Sequence, residues 1–315
     1  MKKGLVSVIL PTRNRKEDLI KLIDSIKSNT YKNVEIIIED IGSSDGSKEA
    51  VEKRFPDVIF MENKLNIGTT KAMNQCIKKS EGEFIMRVED HIIIEKDVIG
   101  KLINVLKNDS KIGVISCLYF YTEEPDVLRG TEIKINLFTG KTKIKDKDKK
   151  YYGEFEGKLL DIFAASGCIL LARKSTYDEV GFYDEDYFFA YDDVDWCQRV
   201  RKAGYKVTIF GSAKIYHKKG EMSNDKPNPF VVYLINRDHI VFMEKHAGWR
   251  KLIFIPFLFF LLYPIKSLNF LIKKQPECLK SYTKAVFNGL LKKGAFIYDQ
   301  NKKEIPYDSS LLKNN

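Results

Sequence analysis

The chain has 315 residues, of which 44% are hydrophobic and 12% aromatic, so it can bury a large core in one domain, with or without an appendage. Its formal net charge is +10, and nearly all of this surplus lies between residues 245 and 293, where ten Lys and Arg stand against one acid, Glu277. A basic surplus confined to one end favours an anionic membrane surface as partner and argues against a nucleic-acid-binding protein. The five cysteines include no CxxC pair, which favours a reducing compartment.

Short apolar runs in the first ninety residues predict buried strands at 6–10, 34–38, 58–61 and 84–88. Between them, apolar residues recur at helical spacing in 19–26 and 72–77. Because strands and helices alternate through short links, the sequence predicts an α/β fold with a doubly wound, mostly parallel sheet. The sequence contains no GxGxxG after the first run and no Walker-type GxxxxGK[ST], which argues against dinucleotide and P-loop sites.

Polar residues cluster where each predicted strand ends. They are Thr12 and Asn14, then Asp40 and Asp45, then Asn66, and finally Glu89 and Asp90. Ligands of open α/β sheets bind beyond the carboxyl ends of the strands, so this row can hold the base and ribose of a nucleotide. The adjacent carboxylates of Glu89 and Asp90 suit a hard divalent cation that carries phosphate oxygens. The alternatives are a solvated turn at Glu89–Asp90 and a capping or loop role for Asp40.

The middle of the chain contains a segment without a functional pattern and one further predicted strand. Residues 119–160 indicate no function, and the alternating Lys and Asp of 141–150 predict a solvated loop or hairpin edge. A compact turn at 164–167 precedes an apolar run at 168–172, which predicts a buried strand close to the site. The small residues of this turn leave room for a ligand.

A second carboxylate cluster lies in residues 181–196, where six Asp and Glu are interleaved with aromatic residues. Asp192, Asp193 and Asp195 fall in the first turn of a predicted helix, where the positive end of the helix dipole favours anions. Helix capping explains one or two of them, and a carboxylate here is also placed to act as a general base. His217 follows a further predicted strand and, taken alone, is more often structural than a ligand.

Together these segments resemble the family 2 glycosyltransferases with the GT-A fold, especially the rhamnosyltransferase-like branch. The resemblance covers residues 6–217, about two-thirds of the chain. The motifs that carry it are the P-T-x-N turn at 11–14, the V-D-N-G-S-x-D-G-S-like segment at 38–47, the N-x-G-x-x-x-A-x-N pattern at 66–74, the DxD-type motif at Glu89–Asp90 and the E-D-V-D motif at 192–195. His217 aligns with the histidine that ends the family's last core strand, often close to the metal.

The resemblance implies an inverting transfer from a nucleoside-diphosphate sugar to a hydroxyl of a glycan or lipid-linked acceptor, with Asp193 as general base. It implies Mg²⁺ or Mn²⁺ as cofactor, held by Asp90 and His217. The nucleotide-sugar-binding residues that it implies are Pro11, Thr12, Asn14, Asp40, Asp45, Asn66, Gly68, Glu89, Gly167 and Asp192.

Three positions depart from the family's pattern. Glu89 replaces the more usual Asp, Val88 stands where many members have Asp or Asn, and Asp192 replaces Glu. A metal site with fewer ligands than usual is therefore expected, with Asp90 as its main ligand. These departures also permit a second reading, in which the chain is a non-catalytic homologue that binds a sugar nucleotide or glycan as partner of an active transferase.

The C-terminal region carries an apolar run, Leu252–Ile265, flanked by basic residues. As a helix, these 14 residues reach about 21 Å, short of a hydrocarbon core of ~30 Å, and Pro256 and Pro264 predict interruptions in the helix. An interfacial or re-entrant segment, a true span and a soluble core helix remain open. We expect membrane contact over about 249–274, at the cytoplasmic face of the cell membrane, by a peripheral or single-span protein.

The predicted organisation has two parts. A GT-A glycosyltransferase domain covers 1–225, with a nucleotide-sugar-binding half at about 1–95 and an acceptor and catalytic half at about 96–225. A helical, basic, membrane-associating region covers 226–315. Together they predict a nucleotide-diphospho-sugar transferase fold with a C-terminal membrane-associating tail.

Overall fold

The computed structural model describes residues 1–219 and 227–291, together with the backbone of 297–298 and 304–305. In these residues the helices are α1 (Lys16–Lys27), α2 (Ser47–Arg54), α3 (Thr69–Lys79), α4 (Val98–Asn108), α5 (Lys174–Val180), α6 (Asp192–Lys202), α7 (Pro229–His246), α8 (Lys251–Phe257), α9 (Tyr263–Ile272) and α10 (Pro276–Leu290). A 3-10 turn, Gly248–Arg250, precedes α8, and a π-helical segment, Leu258–Leu262, joins α8 to α9. The strands are β1 (Lys2–Thr12), β2 (Val34–Ile41), β3 (Ile59–Asn63), β4 (Gly82–Val88), β5 (Ile92–Ile94), β6 (Ile112–Tyr121), β7 (Val127–Gly130), β8 (Glu132–Ile135), β9 (Thr142–Lys145), β10 (Lys149–Lys150), β11 (Leu159–Asp161), β12 (Ile169–Arg173), β13 (Lys206–His217), β14 (Ile297–Tyr298) and β15 (Glu304–Ile305).

Eleven of these strands form one sheet in the order β10-β7-β6-β12-β4-β1-β2-β3, with β13 paired to β6, β5 and β11. Strands β1 to β4 run parallel, as do β6 and β13, whereas β12 runs antiparallel between β4 and β6. Residues Leu5–Leu10 of β1 are buried without alternation, as expected for a strand that is covered on both faces. The predicted mostly parallel α/β sheet is confirmed.

The chain divides into two compact units. Unit one consists of residues 1–134, 144–183 and 193–219, and it contains the sheet core. Unit two consists of residues 135–143, 184–192 and, in the C-terminal part, the described residues from 227 onward. The boundary predicted between 225 and 226 lies outside the described residues.

The core of unit one forms where α1 and α4 pack on the sheet. Helix α1 contributes Leu19, Leu22, Ile23 and Ile26, which recur at helical spacing and are buried. Helix α4 contributes a second apolar face of the same kind. This packing holds the carboxyl ends of the parallel strands at one edge of the sheet.

In unit two, helix α7 holds the segment 184–192 through buried polar contacts. Asp238 is fully buried, and its Oδ2 accepts hydrogen bonds from the amides of residues 188, 189 and 190 at 3.2–3.3 Å. Its Oδ1 accepts from Arg237 at 2.8 Å, and Arg237 is also fully buried. The backbone of Tyr191 lies in the left-handed region, with φ 65°. Its ring stacks on that of His239 of α7, with 5.2 Å between the ring centroids. Non-glycine residues persist in this conformation only where surrounding contacts hold them.

The helical stretch Gly248–Ile272 of unit two has 25 residues and a mean hydropathy of 1.7, and only 11% of its most apolar window is buried. By length and composition it could cross a membrane, and this low burial contradicts the reading as a soluble core helix. The α-helical hydrogen-bond pattern is interrupted between the two prolines, as predicted, while the chain stays helical throughout. Pro256 lies within α8 and Pro264 in the first turn of α9, and the π-helical segment between them takes up the change in hydrogen bonding.

We expect Asp238→Ala to lower the free energy of unfolding by about 3–5 kcal/mol, because it removes the carboxylate that pairs with buried Arg237 and gathers three amides. Urea denaturation measures this change. The matched control, Asp178→Ala, removes an exposed carboxylate and should change stability by less than about 0.5 kcal/mol. We call the contacts of Asp238 with Arg237 and with the amides of residues 188–190 the α7 clamp. Equal midpoints for the two variants would contradict its role in stability.

Candidate active site

The carboxyl ends of β1, β2 and β4 bring three groups of predicted site residues to one edge of unit one. The parallel register pairs Thr12 with Asp40, and β4 ends at Val88, directly before Glu89 and Asp90. The Thr12 hydroxyl donates to Asp90 Oδ2 at 2.9 Å, and both side chains are largely buried. The predicted row at the strand ends therefore forms a contiguous polar edge.

Asp40 offers an acceptor that the protein itself does not use. Its Oδ1 accepts from the amides of Gly42 and Ser43 at 2.9 and 2.7 Å, whereas its buried Oδ2 has no hydrogen-bond partner within the described residues. Asn14, which has φ 52°, holds the loop that follows β2, because its Oδ1 accepts a hydrogen bond from the Ser44 amide at 2.8 Å. A buried, unpaired acceptor is costly. It therefore indicates a ligand donor at this position.

Two other predicted binding residues shape loops through their own side chains. Asp45 accepts from the amides of Lys16 and Ser47 at 2.9 and 3.1 Å and from the Ser47 hydroxyl. Burial raises the pKa of this carboxyl, but the hydrogen bonds from the hydroxyl and the two amides hold it below its usual range. Asn66 Oδ1 accepts from the Gly68 amide at 3.0 Å, in a turn that leads into α3. These contacts tie the oxygens of Asp45 and Asn66 to the backbone.

Glu39, which no motif singled out, is buried next to Asp40. Burial and the charge of Asp40 raise its pKa to about 7, and a hydrogen bond from Asn63 opposes this rise. Near neutral pH, this strand end therefore carries less negative charge than its two adjacent carboxyl groups suggest.

The side chains of Glu89 and His217 are in contact through one atom each, a carboxylate oxygen and a ring nitrogen, and both atoms act as hydrogen-bond acceptors here. Glu89 Oε2 lies 2.9 Å from His217 Nε2, while His217 Nδ1 lies 2.6 Å from the carbonyl oxygen of Lys218. Because a carbonyl only accepts, Nδ1 carries the proton, and the Nε2 lone pair of the neutral ring is directed at the carboxylate. Burial lowers the pKa of His217 despite the contact with Glu89, which favours this neutral form. A carboxylate and an imidazole lone pair at this distance require a proton or a cation between them.

His91 repeats this arrangement on the other side of Glu89. Its Nδ1 lies 3.0 Å from Asp90 Oδ1, its Nε2 lies 3.6 Å from Glu89 Oε2, and its ring meets that of His217 edge to face at 4.3 Å. Metal-binding histidines commonly donate their second ring N–H to a carboxylate or a carbonyl in this way. Cys168 adds a fourth possible ligand to Glu89, His217 and His91. Its Sγ lies within 4.8 Å of the ligand atoms of Glu89 and His217. The donor set fits a divalent cation.

The structure therefore distributes the predicted metal residues differently from the simple motif. Glu89, predicted as a nucleotide-sugar contact, lies against His217, while Asp90 contacts Thr12 and His91. Burial raises the pKa of Glu89, but its contact with His217 and the nearby charge of Arg129 hold this pKa below its usual range. This corner, comprising Glu89, Asp90, His91, Cys168 and His217, is called the cation corner below.

Asp193 lies in the first turn of α6 beside Gly167. Its Oδ2 accepts from the Gly167 amide at 2.6 Å and its Oδ1 from the Val194 amide at 2.8 Å. A Cβ at residue 167 would lie 2.7 Å from Arg87 Nη2 and 3.1 Å from Asp193 Oδ2, so only glycine leaves space for both groups. The amide hydrogen bonds favour an ionised, oriented carboxylate.

The two other carboxylates in the first turn of α6, Asp192 and Asp195, are less accessible than Asp193. Asp195 is buried and pairs with Arg199 at 2.8 Å, and Asp192 is buried at the start of α6. Of these three carboxylates, Asp193 is the one that is both partly exposed and oriented.

Among the other predicted binding residues, Pro11 is half-buried near the end of β1, one residue before Thr12.

A family model described as "Glycosyl transferase family 2" matches residues 7–181, more than half of the chain. The chain belongs to this family. The protein is accordingly a glycosyltransferase. The matched segment contains the strand-end row and Gly167, whereas α6 with Asp193 and β13 with His217 lie beyond it.

Individual relatives agree with this assignment. The chain is 24% identical over 270 residues to an "N-acetylglucosaminyl-diphospho-decaprenol L-rhamnosyltransferase" of Mycobacterium tuberculosis, which covers 78% of this chain and 87% of that protein. It is 26% identical over 204 residues to a "Poly-beta-1,6-N-acetyl-D-glucosamine synthase" of Staphylococcus aureus, covering 64% of this chain and 47% of that protein.

Among solved structures, the mannosyltransferase PcManGT from Pyrobaculum calidifontis, in complex with GDP-Man and Mn²⁺, superposes with a TM-score of 0.56 at 15% identity and covers 91% of this chain and 87% of that one. GalNAc-T7 with UDP, GalNAc and Mn²⁺ superposes with a TM-score of 0.62 at 14% identity, covering 76% of this chain and 47% of that one. These similarities establish the GT-A fold.

His91 and Cys168 lie in the cation corner, although neither is among the site residues predicted from the sequence. The signal for His91 was its spacing, since it stands two residues after Glu89, the distance that separates the two carboxylates of a DxD motif. Cys168 had no comparable signal. Its role depends on β12 running beside β4, which sequence spacing does not reveal.

Proposed function

We propose that this glycosyltransferase transfers a sugar, with inversion, from a nucleoside-diphosphate sugar to a hydroxyl of a glycan or lipid-linked acceptor. The observation that carries the proposal is the contact of Glu89 with His217, since a carboxylate oxygen and an imidazole nitrogen 2.9 Å apart can act as two adjacent ligands of one cation. It lies at the same sheet edge as the unpaired Oδ2 of Asp40, which suits a donor group of a nucleotide base. Thr12, Asn14 and the loops that Asp45 and Asn66 hold would surround the nucleotide.

In the proposed mechanism, Asp193 takes the proton of the acceptor hydroxyl. The acceptor oxygen then bonds to the anomeric carbon from the face opposite to the diphosphate, while the bond from that carbon to the phosphate oxygen breaks. Amides of Gly167 and Val194 keep the carboxylate oriented for this step. A divalent cation, when bound, offsets negative charge on the diphosphate.

Glu89, His91 and His217 would hold this cation, with Asp90 orienting His91 and Thr12. The relative from Mycobacterium tuberculosis supports a lipid-linked acceptor, because its name specifies an N-acetylglucosaminyl-diphospho-decaprenol acceptor and a rhamnosyl group. A membrane position for this chain agrees with such an acceptor. We propose that the stretch 249–274 contacts the cytoplasmic face of the membrane, with exposed Trp249 and basic residues at its ends.

We expect Asp193→Asn to reduce sugar transfer by about 10²–10⁴-fold and to leave binding of the donor unchanged, because only the proton acceptor is lost. Release of nucleoside diphosphate from a panel of nucleotide sugars measures transfer, and calorimetry measures binding. Asp178→Asn is the matched control with full activity expected. Loss of donor binding together with turnover would contradict the base assignment, and binding without turnover in the unmodified protein would favour a non-catalytic partner.

We expect Mn²⁺ to bind more tightly than Mg²⁺, because two imidazoles with one carboxylate suit a transition-metal ion better than an ion that prefers oxygen ligands. Electron paramagnetic resonance of free Mn²⁺ measures its affinity, and Mg²⁺ competes in the same titration. His217→Ala should weaken Mn²⁺ binding at least about tenfold, and EDTA should abolish transfer. The control variant His246→Ala should bind like the unmodified protein. Unchanged Mn²⁺ binding in His217→Ala would place the ion elsewhere.

We expect the purified chain to sediment with vesicles that contain anionic lipid, and Phe260→Glu to weaken this binding at least about tenfold. Phe260 is 85% exposed on the apolar stretch, and burial of a Phe side chain contributes about 2 kcal/mol. Tyr152→Glu changes an equally exposed aromatic residue of unit one and serves as control. Unmodified protein that stays in the supernatant at low salt would contradict membrane contact.

A further inference from the structure

Arg129 borders the cation corner from strand β7, and neither the motifs nor the proposed mechanism uses it. Strand β7 runs antiparallel to β6, where Leu128 pairs with Phe120 and Gly130 with Tyr119. Leu128 is fully buried in the sheet core, so alternation along the strand places Arg129 on its other side. The guanidinium Nη1 of Arg129 lies 3.6 Å from Cys168 Sγ, which itself lies within 4.8 Å of the ligand atoms of Glu89 and His217.

The local backbone gives Arg129 a defined position. Gly130 has φ 147°, and a Cβ at this residue would lie 2.3 Å from Ile144 Cγ2 and 3.0 Å from Tyr119 Oη. Only glycine allows the strand to pass this close to its neighbours. Thr131, which follows, is buried and donates to Asp146 Oδ2 at 2.8 Å. These contacts fix the backbone that directly follows Arg129.

Arg129 has no ion-pair partner within the described residues, although its charge acts on Glu89 from beyond ion-pair distance. Across residues 1–219 and 227–291, no carboxylate lies within ion-pair distance of its guanidinium, and the thiol of Cys168 is its one hydrogen-bond acceptor. A thiol is a weak acceptor, whereas a guanidinium carries five donors in a planar fork that matches phosphate oxygens. A guanidinium without an ion-pair partner, next to the residues of the cation corner, indicates that an anionic ligand binds there.

We propose that Arg129 binds the diphosphate of the nucleotide-sugar donor and stabilises the departing nucleoside diphosphate. This inference rests on the proposed function. Glu89 and Asp90 bring two carboxylates to the corner, so a single divalent ion cannot offset both them and a diphosphate. Arg15, whose Nε lies 4.0 Å from Asp90 Oδ1, offsets part of this charge, and Arg129 supplies a further positive charge on the side of Cys168. As the bond from the anomeric carbon to the phosphate oxygen breaks, its electron pair stays on that oxygen, where bidentate hydrogen bonds from a guanidinium become stronger.

The test compares Arg129→Gln with Arg129→Lys and with the control Arg54→Gln, which removes an exposed arginine paired with Asp24. Calorimetry with Mn²⁺ present measures binding of UDP, GDP and dTDP and of the corresponding nucleosides. For the diphosphate that binds best, we expect Arg129→Gln to weaken binding at least about tenfold, with no change for its nucleoside, because the nucleoside has no phosphate to contact. Arg129→Lys should recover part of the loss, and kcat for transfer should fall at least about tenfold in Arg129→Gln.

The outcomes separate the two proposals. If the unmodified protein binds a diphosphate and transfers sugar, and the Arg129→Gln variant does both equally well, the role of Arg129 is overturned. The proposed function is then unaffected. Equal losses for nucleoside and diphosphate would also overturn the role of Arg129, because they would indicate a general structural effect. Unmodified protein that binds none of the diphosphates and transfers no sugar would overturn the proposed function, and the role of Arg129 with it.

Discussion

The contact between Glu89 and His217 depends on strand register across 128 residues of sequence. Strand β13 pairs His217 with Ile92 of β5 and with Tyr121 of β6, which places the imidazole next to the turn that leaves β4. Because side chains alternate along a strand, a shift by one residue would turn His217 to the opposite face and leave Glu89 without its neighbour. The register shift of β13 between Phe210 and Lys214 is part of this arrangement, since it sets the alternation of the final residues.

The α7 clamp shows how buried charge can serve specificity in unit two. A buried Arg237–Asp238 pair contributes little net stability, because both charges lose their hydration. Burial raises the pKa of Asp238, and the charge of Arg237 opposes that rise. The carboxylate nevertheless gathers three successive amides, which a hydrophobic replacement could not do. The pair therefore selects one backbone path for the segment that precedes α6 in the chain.

Local patterns predicted the strands and the polar row well, because burial and the position of strand ends depend on neighbouring residues. Partners distant in sequence were beyond such patterns. The motif placed Glu89 and Asp90 together, but which carboxylate turns toward His217 is decided by Thr12, which donates to Asp90. The two prolines predicted an interruption of the helix, but helix propensity does not foresee that the interruption takes the form of a π-helical segment between them.

The contacts of Lys266 favour an interfacial position for the apolar stretch over a true span. At about 1.5 Å per residue, the 25 residues of Gly248–Ile272 reach about 37 Å, so length alone permits either orientation. A span would carry Lys266 into the hydrocarbon, at a cost of about 2.5–3.5 kcal/mol near the centre. Its Nζ donates to Asn236 at 2.8 Å and lies 5.3 Å from the ring centre of Tyr282, so α7 and α10 would have to enter with it. A position in the plane of the headgroups would let the exposed apolar face contact lipid while Lys266 keeps both contacts.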